Sequence, residues 1–516
     1  MMVNDDRLVL VFDAGTQSTR GFLFNRKGDI VASAKTKNHI SDESDIPNRH
    51  EKDAEEYWRE ISRVSLELKE ISGDNWDKVI AVSVTMLRNC YLCVDKDAKP
   101  LRPVITWLDQ RLAKFDNPYR LANRMLYGIA GMKATSIAQY ETSFANWIKQ
   151  NEPEIWKKTY KFVPISAYIN YKFTGRLVDS KGNTLGRIPY DYKKRTWMSE
   201  KNIRFPVFGV DRDKCGDIVE PCERLGYVTA ECSRLTGIKE GLPVIATGSD
   251  KACEAIGSGV VGDEIASLSF GTAACVQMTV DKHINPQPFM PSFTAAAPNM
   301  FNPEIQMFRG FWMITWFKEQ FADAERKIAD DMGVPTEVLL DEMLNEVPAG
   351  SNGLILQPYW GPGLIMPRAK GSIIGFSDVH TKAHIYRAII EGLGYALYDG
   401  LKEIEKRGRY NVKRIAVSGG GSTSDAICQI AADIFGREVV RTHTSETSGL
   451  GSAIVTFLAM GEYKDIYEAI DNMVRVRDVF KPNMENNKLY MNIYGKVYSK
   501  LYTNLRRLFE KLYNIV

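Results

Sequence analysis

The chain has 516 residues, 44% of them hydrophobic and 25% charged, a globular composition too long for a single core, so two domains are expected. Its 67 basic residues balance 64 acidic ones, and no basic run is interleaved with aromatics, which argues against nucleic acid as a partner. The opening MMVNDDRLVL lacks the pattern of a signal peptide and no apolar run is long enough to span a bilayer, so a cytoplasmic protein without a membrane partner is expected.

In chain order, "LVLVFDAGTQSTRGFLF" (residues 8 to 24) reads as a strand that stops at Asp13, turns at Gly15 and restarts as a strand. Arg26 to Asp29, "RKGD", then forms a hairpin turn toward "IVASAK". Asp53 to Ile71 carries apolar residues at helical spacing behind an acidic first turn, and Lys78 to Met86 reads as a buried, β-branched strand. Cys90 and Cys93 form a CxxC inside the strand-like "CYLCVD" with no second tight pair nearby, which favours packing over metal or redox use.

Strand, Gly-Thr turn and strand recur over Glu264 to Val280, and two such hairpins suggest two related halves. The aromatics of Phe308 to Asp323 fall at helical spacing, as core residues do. His384 to Arg407 is amphipathic and helical; Arg414 to Gly436 reads as strand, glycine loop and helix closed by a glycine cap. From Glu485 onward the chain is polar, aromatic and helical, which predicts a terminal helix on the surface. The six histidines are dispersed without ligand spacing.

Three turns have the chemistry of an anion site. At the first, Asp13 ends a buried strand, Gly15 allows a tight bend, and Thr16, Gln17, Ser18 and Thr19 supply donors, with Arg20 on the returning strand. Successive amide N–H groups make an anion nest, and an adjacent carboxylate suits hydrated magnesium; taken alone, the stretch is equally a polar β-turn. "SFGTAA" (Ser269 to Ala274) offers a second grip through Gly271 and Thr272. In "SGGGSTSD" (Ser418 to Asp425), glycines let a ligand approach the backbone at a helix start and Asp425 could meet a base or ribose. None of these is a GxGxxG or a GxxxxGK[ST] loop, so neither a dinucleotide oxidoreductase nor a P-loop NTPase is supported.

The segments "VFDAGTQSTR", "ATGSDKACEAIGSGV", "SFGTAACV", "YWGPGLIMPRAKGSIIGFSDVHTKAHIYRAIIEGLGYAL" and "VSGGGSTSDAICQIAADIFGREV", with the later "ETSGLGSAIV", together resemble the FGGY carbohydrate kinases, relatives of glycerol kinase and xylulokinase. They run in the family's order over nearly the whole chain. The resemblance implies an α/β fold of two ribonuclease H-like domains, of the actin, hexokinase and Hsp70 type, with ATP and sugar in a central cleft. It divides the chain into residues 1–257, carrying sugar and the first phosphate loop, and 258–516, carrying the second phosphate loop and the adenosine site. ATP and Mg2+ are the implied cofactors, and a homodimer is possible.

By position, Asp13 resembles the family's magnesium-linked carboxylate, acting through water, and Gly15, Thr16, Gln17 and Arg20 its first phosphate loop. Gly271 and Thr272 match the second, and Gly420, Gly421 and Asp425 the adenosine pocket, where the family often has an amide at the last position. Asp250 in "TGSDKA" matches the general base that accepts the proton of the attacking hydroxyl. On the sugar side Arg88 is kept, while Leu87 and Asn89 replace the amide and acid of glycerol kinases; Trp107, Asp109 and Arg111 keep a Trp-x-Asp-x-Arg pattern that lines the pocket or knits the domain. Lys251 stands where an amide is usual, which suits either an anionic sugar or a neighbouring carboxylate. Gln139 or Tyr140 could reach the sugar by position alone. The implied activity is ATP-dependent phosphorylation of a small sugar, ketose, polyol or sugar acid. Its rivals are a nucleotide-switched assembly ATPase of the same superfamily and a sugar sensor without turnover.

Overall fold

The computed structural model describes residues 6–38, 49–119, 121–129, 132–288, 290–360, 366, 368–513 and 515. Part of the "YWGPGLIMPRAKG" stretch, residues 361–365 and 367, therefore lies outside the described residues. The chain forms two compact units: Met1–Gly257 with Phe293–Phe301 and Glu446–Val474, and Ser258–Ser292 with Asn302–Ser445 and Arg475–Val516.

In the first unit the alternating opening segment folds as a meander, Leu8–Ala14, Ser18–Asn25 and Ile30–Lys37, paired antiparallel with Asp13 opposite Arg20 and Ala14 opposite Thr19. Val79–Met86 joins Leu8–Ala14 in parallel, Pro243–Ile245 follows in parallel, and Arg224–Tyr227 closes the sheet antiparallel. Helices Ala54–Ser72 and Thr447–Ala459 pack against Leu8–Ala14 and the strand is buried along its whole length, which is why it is apolar without alternation until Asp13. The helix Ala54–Ser72 covers one face; Asp53 caps it by accepting the Glu55 N–H, as the acidic first turn foretold. The helices Asp250–Gly257 and Thr447–Ala459 pack together in the same unit.

The second unit repeats the plan. Its sheet runs Glu304–Met307, Ala274–Gln277, Ile265–Phe270, Arg414–Ser418, Glu438–Thr442 and Val476–Phe480. The pairing is antiparallel, antiparallel, parallel, parallel, antiparallel, the same sequence of senses as in the first sheet. The two hairpins seen in the sequence thus occupy equivalent places, each joining the central strand to its antiparallel neighbour. The long helix Lys382–Gly408 buries Leu393, Leu397, Leu401 and Ile404 on this sheet's core.

The carboxy-terminal segment is helical over Met484–Ile493 and Ser499–Tyr513 and lies on the surface as expected, with one face, Tyr490, Tyr494, Tyr498 and Leu501, turned into the second unit's core. Tyrosine spaced at four residues put one apolar ring face inward while each hydroxyl found a polar partner: Tyr490 donates to Glu391 and Tyr498 to the Gly392 carbonyl. The aromatic stretch after Phe308 is core as expected, with Phe311, Met313 and Phe317 buried. All eight cysteines are free; burial pushes the Cys90 thiol up to about 12 and Cys93 to about 11, as suits packing residues. Among the described residues no helix is long and apolar enough to cross a membrane.

Candidate active site

Asp250 is the first residue of the Asp250–Gly257 helix. Ser249, not Asp250, sits in the capping position, its Oγ 3.5 Å from the Ala252 N–H, so the Asp250 carboxylate is released from that duty. Its Oδ1 accepts the Lys251 N–H at 2.8 Å. The turn before it is fixed by strand ends: Thr85 Oγ1 donates to the Gly248 carbonyl and Thr247 Oγ1 to the Val84 carbonyl, both at 3.0 Å, and Ser180 Oγ donates to the Thr247 carbonyl. Behind it, Gly257 and Gly451 allow the two helices to touch: a Cβ on Gly257 would stand 1.9 Å from the Thr447 carbonyl oxygen, and one on Gly451 1.8 Å from that of Cys253. Burial raises the Asp250 carboxyl above its usual range, with Lys251 and Arg88 opposing and Glu254 adding to the rise.

The first turn is held as firmly. Gly15 N donates to the Ser18 carbonyl at 3.0 Å, and Asn38, which no motif marked, donates from Nδ2 to the Gly15 carbonyl at 2.7 Å while its backbone N–H reaches the Gln17 carbonyl. Gly15 is not in the left-handed region, so the turn does not rely on glycine's extra freedom. Gln17 is exposed, and the Thr16 hydroxyl accepts the Trp107 indole N–H at 3.0 Å. Arg20, read as a phosphate ligand, pairs with Glu446 at 2.6 Å and stands 4.0 Å from Asp13. Glu446 lies far down the chain, at the head of "ETSGLGSAIV", and only folding connects it to this turn.

Desolvation pushes the Asp13 carboxyl up to about 7, with Arg20 opposing and the negative Asp250, Glu446 and Glu254 adding. Among the described residues the Asp13 carboxylate receives no hydrogen bond, and no group of three or more His, Cys, Asp or Glu side chains could hold a metal. One desolvated oxygen donor among anions fits a hydrated magnesium whose other ligands come from water and phosphate.

On the sugar side, Asp109 and Arg111 are committed to the protein. Asp109, with a fully buried side chain, accepts from Arg111 Nε at 2.7 Å, Arg111 Nη2 at 2.6 Å and the His50 N–H at 2.8 Å; Arg111 also pairs with Glu51 and stacks over Trp147. Lys251 pairs with Glu254 at 2.6 Å, so a neighbouring carboxylate already engages that ammonium. Arg88 lies over the Phe293 ring. Asn89 adopts φ 60°, and its buried Oδ1 has no hydrogen-bond partner among the described residues. Tyr140 is buried against Phe115, and Gln139 is half-buried.

In the second unit, the Gly271-Thr272 turn is pinned from the 310–312 segment: the Gly310 N–H donates to the Thr272 carbonyl and the Phe311 N–H to that of Gly271. Thr272 itself is exposed. Phe311 stacks on Phe270 at 4.5 Å, and Gly421 gives it room, since a Cβ there would stand 2.6 Å from the Phe311 ring. Gly419 carries φ +82°, while a Cβ on Gly420 would meet nothing within 4 Å, so the loop presents an open backbone face there. Asp425 is 75% exposed on its side chain and pairs with Arg441 at 2.7 Å; the same guanidinium donates to the Ser422 and Thr423 carbonyls and to Asp478. Arg441 is the loop's organiser, and no motif pointed to it.

The N-terminal domain of the FGGY family of carbohydrate kinases matches residues 8–257, and the C-terminal domain of that family matches residues 266–460. The chain is 27% identical over 486 residues to the uncharacterized sugar kinase YgcE of Escherichia coli, covering 94% of this chain and 91% of the relative. It is 26% identical over 500 residues to a xylulose kinase of Lactococcus lactis, covering 94% and 95%. The crystal structure of xylulose kinase from Rhodospirillum rubrum is similar in fold, with a TM-score of 0.80 at 24% identity, over 98% of this chain and 100% of that one.

Proposed function

Because the chain belongs to the FGGY family of carbohydrate kinases, we propose that it transfers the γ-phosphoryl group of ATP to a hydroxyl of a small sugar, ketose, polyol or sugar acid, with Asp250 as general base. The observation that carries this is the Asp250 carboxylate: half-buried, freed from capping by Ser249, raised in pKa by loss of hydration and within electrostatic reach of Arg88. Phosphoryl transfer needs alignment, charge neutralisation and an acceptor for one proton. A carboxylate whose pKa is drawn toward neutrality holds that proton better than an ordinary aspartate does.

In this reading Gly15, Thr16, Gln17 and Arg20 form one phosphate-binding turn, and Gly271 and Thr272 another. Gly420 and Gly421 receive the adenosine, with Asp425 beside it. Arg88, Asn89, Trp107, Asp109 and Lys251 shape the sugar pocket; the ion pairs of Asp109 and Lys251 support a positioning part for both. Asp13 would hold magnesium through water, and the ion would supply charge neutralisation for the transferring phosphate.

A coupled ADP-release assay with MgATP against glycerol, erythritol, pentitols, ketopentoses, ketohexoses and aldonic acids tests the reading, with Asp250→Asn as control. Release that depends on a sugar and disappears in the control supports it. Sugar-independent ATP hydrolysis, or sugar binding without turnover, overturns it.

A further inference from the structure

Gly186 and Arg187 stand beside the sugar-side residues, although no motif singles them out. Gly186, at φ +89°, lies so close to Asn89 that a Cβ would fall 1.8 Å from Oδ1, and its N–H donates to the Tyr192 hydroxyl at 3.0 Å. Tyr192 in turn meets Phe293, the ring under Arg88. The Arg187 guanidinium lies over the Phe144 ring at 4.5 Å. Cys90 lies within electrostatic reach of both Arg187 and Asp250, which places the guanidinium in the neighbourhood of the base.

The cations of this neighbourhood differ in their partners. Arg20 has Glu446, Lys251 has Glu254, and Arg111 has Asp109 and Glu51. Arg187 has no ion pair or hydrogen bond among the described residues. Asp109, the carboxylate that acts on it, already receives Arg111 and the His50 N–H. The other groups acting on it, Tyr91 and Cys90, are neutral, and Tyr91 spends its hydroxyl on the Leu185 carbonyl. Loss of hydration depresses the Arg187 pKa, so its charge is held at a cost that a ring face only partly offsets.

Resting on the kinase reading of this pocket, we propose that the substrate is a sugar acid whose carboxylate pairs with Arg187 and whose hydroxyl donates to the unpartnered Asn89 Oδ1. A guanidinium fork matches a carboxylate with two parallel N–H···O bonds. One guanidinium balances a monoanion; a phosphate dianion would leave one charge without a partner at Arg187.

Calorimetric titration of the full chain with D-gluconate against D-glucitol, and D-xylonate against xylitol, reads the charge preference without turnover. The wild type is expected to bind each aldonate about 30-fold or more tighter than its alditol. Arg187→Met should bring the ratio toward unity at an unchanged melting temperature, and Arg187→Lys should keep part of it. Equal affinities in the wild type, binding of none of the four, or a ratio kept by a folded Arg187→Met overturns the proposal. ADP release with the same compounds reports separately on the kinase reading: bound aldonates that are never phosphorylated would remove that reading and leave the anion site, while unselective phosphorylation of alditols would do the reverse.

Discussion

The Trp107 indole N–H donates to the Thr16 hydroxyl at 3.0 Å, joining a residue assigned to the sugar side with one assigned to phosphate. An accepted hydrogen bond orients the Thr16 hydroxyl so that its own proton points away from the indole. Trp107→Phe should raise the apparent KM for both substrates about 3- to 10-fold, the worth of one hydrogen bond. In a double-mutant cycle with Thr16→Val the two losses should fall well short of additive; additive losses would show that the contact carries no coupling.

Asp250 must be ionised to accept a proton, and its pKa lies above the ordinary carboxylate range. Activity should therefore fall as pH drops through a value higher than about 4, the usual aspartate pKa. Asp250→Asn should lower kcat about 100-fold or more, with sugar affinity by calorimetry changed far less.

Asp13 titrates near 7 in the metal-free protein, so below that pH a proton competes with magnesium. The magnesium concentration giving half-maximal rate should rise as pH falls from 8 to 6 (on the order of 10-fold per pH unit below the pKa). Chelation by EDTA should abolish turnover at any of these pH values, and a magnesium requirement independent of pH would remove Asp13 from the ion's surroundings.

Lys251 pairs with Glu254, whose side chain is nearly buried at 7% exposure. Lys251→Gln leaves that carboxylate without its ion pair and should lower stability by about 1 to 3 kcal/mol, measured by urea unfolding. Lys251→Arg should recover part of the loss.

Gly451→Ala should be worse than a surface change of the same size, because the new methyl would stand 1.8 Å from the Cys253 carbonyl oxygen. Separation of the two helices should cost about 1 to 3 kcal/mol and move Asp250 with it, so activity should fall along with the melting temperature. Gly73→Ala has nothing within 4 Å of its added Cβ, yet its positive φ of 52° strains any side chain; it separates backbone strain from collision.

Periodicity and turn chemistry determined much of this protein locally. The meander around Asp13, the helix behind Asp53, the second hairpin at Gly271 and the strand-loop-helix of Arg414 to Gly436 all follow from neighbours in sequence, because hydrogen-bond ladders, caps and tight turns are short-range. Five motifs in order carried the family on the same ground. The sequence could not show that Glu446 would take Arg20 or that Arg441 would gather the 422–425 loop, whereas Lys251 found the neighbouring carboxylate three residues along its own helix that the sequence had offered. It also left Arg187 unmarked, since nothing in "LGRIPY" distinguishes a paired arginine from an unpaired one. Ion pairing and burial are properties of the whole neighbourhood: a charge's partner is whichever opposite charge the packed core leaves within about 3 Å, and only tertiary structure decides which that is.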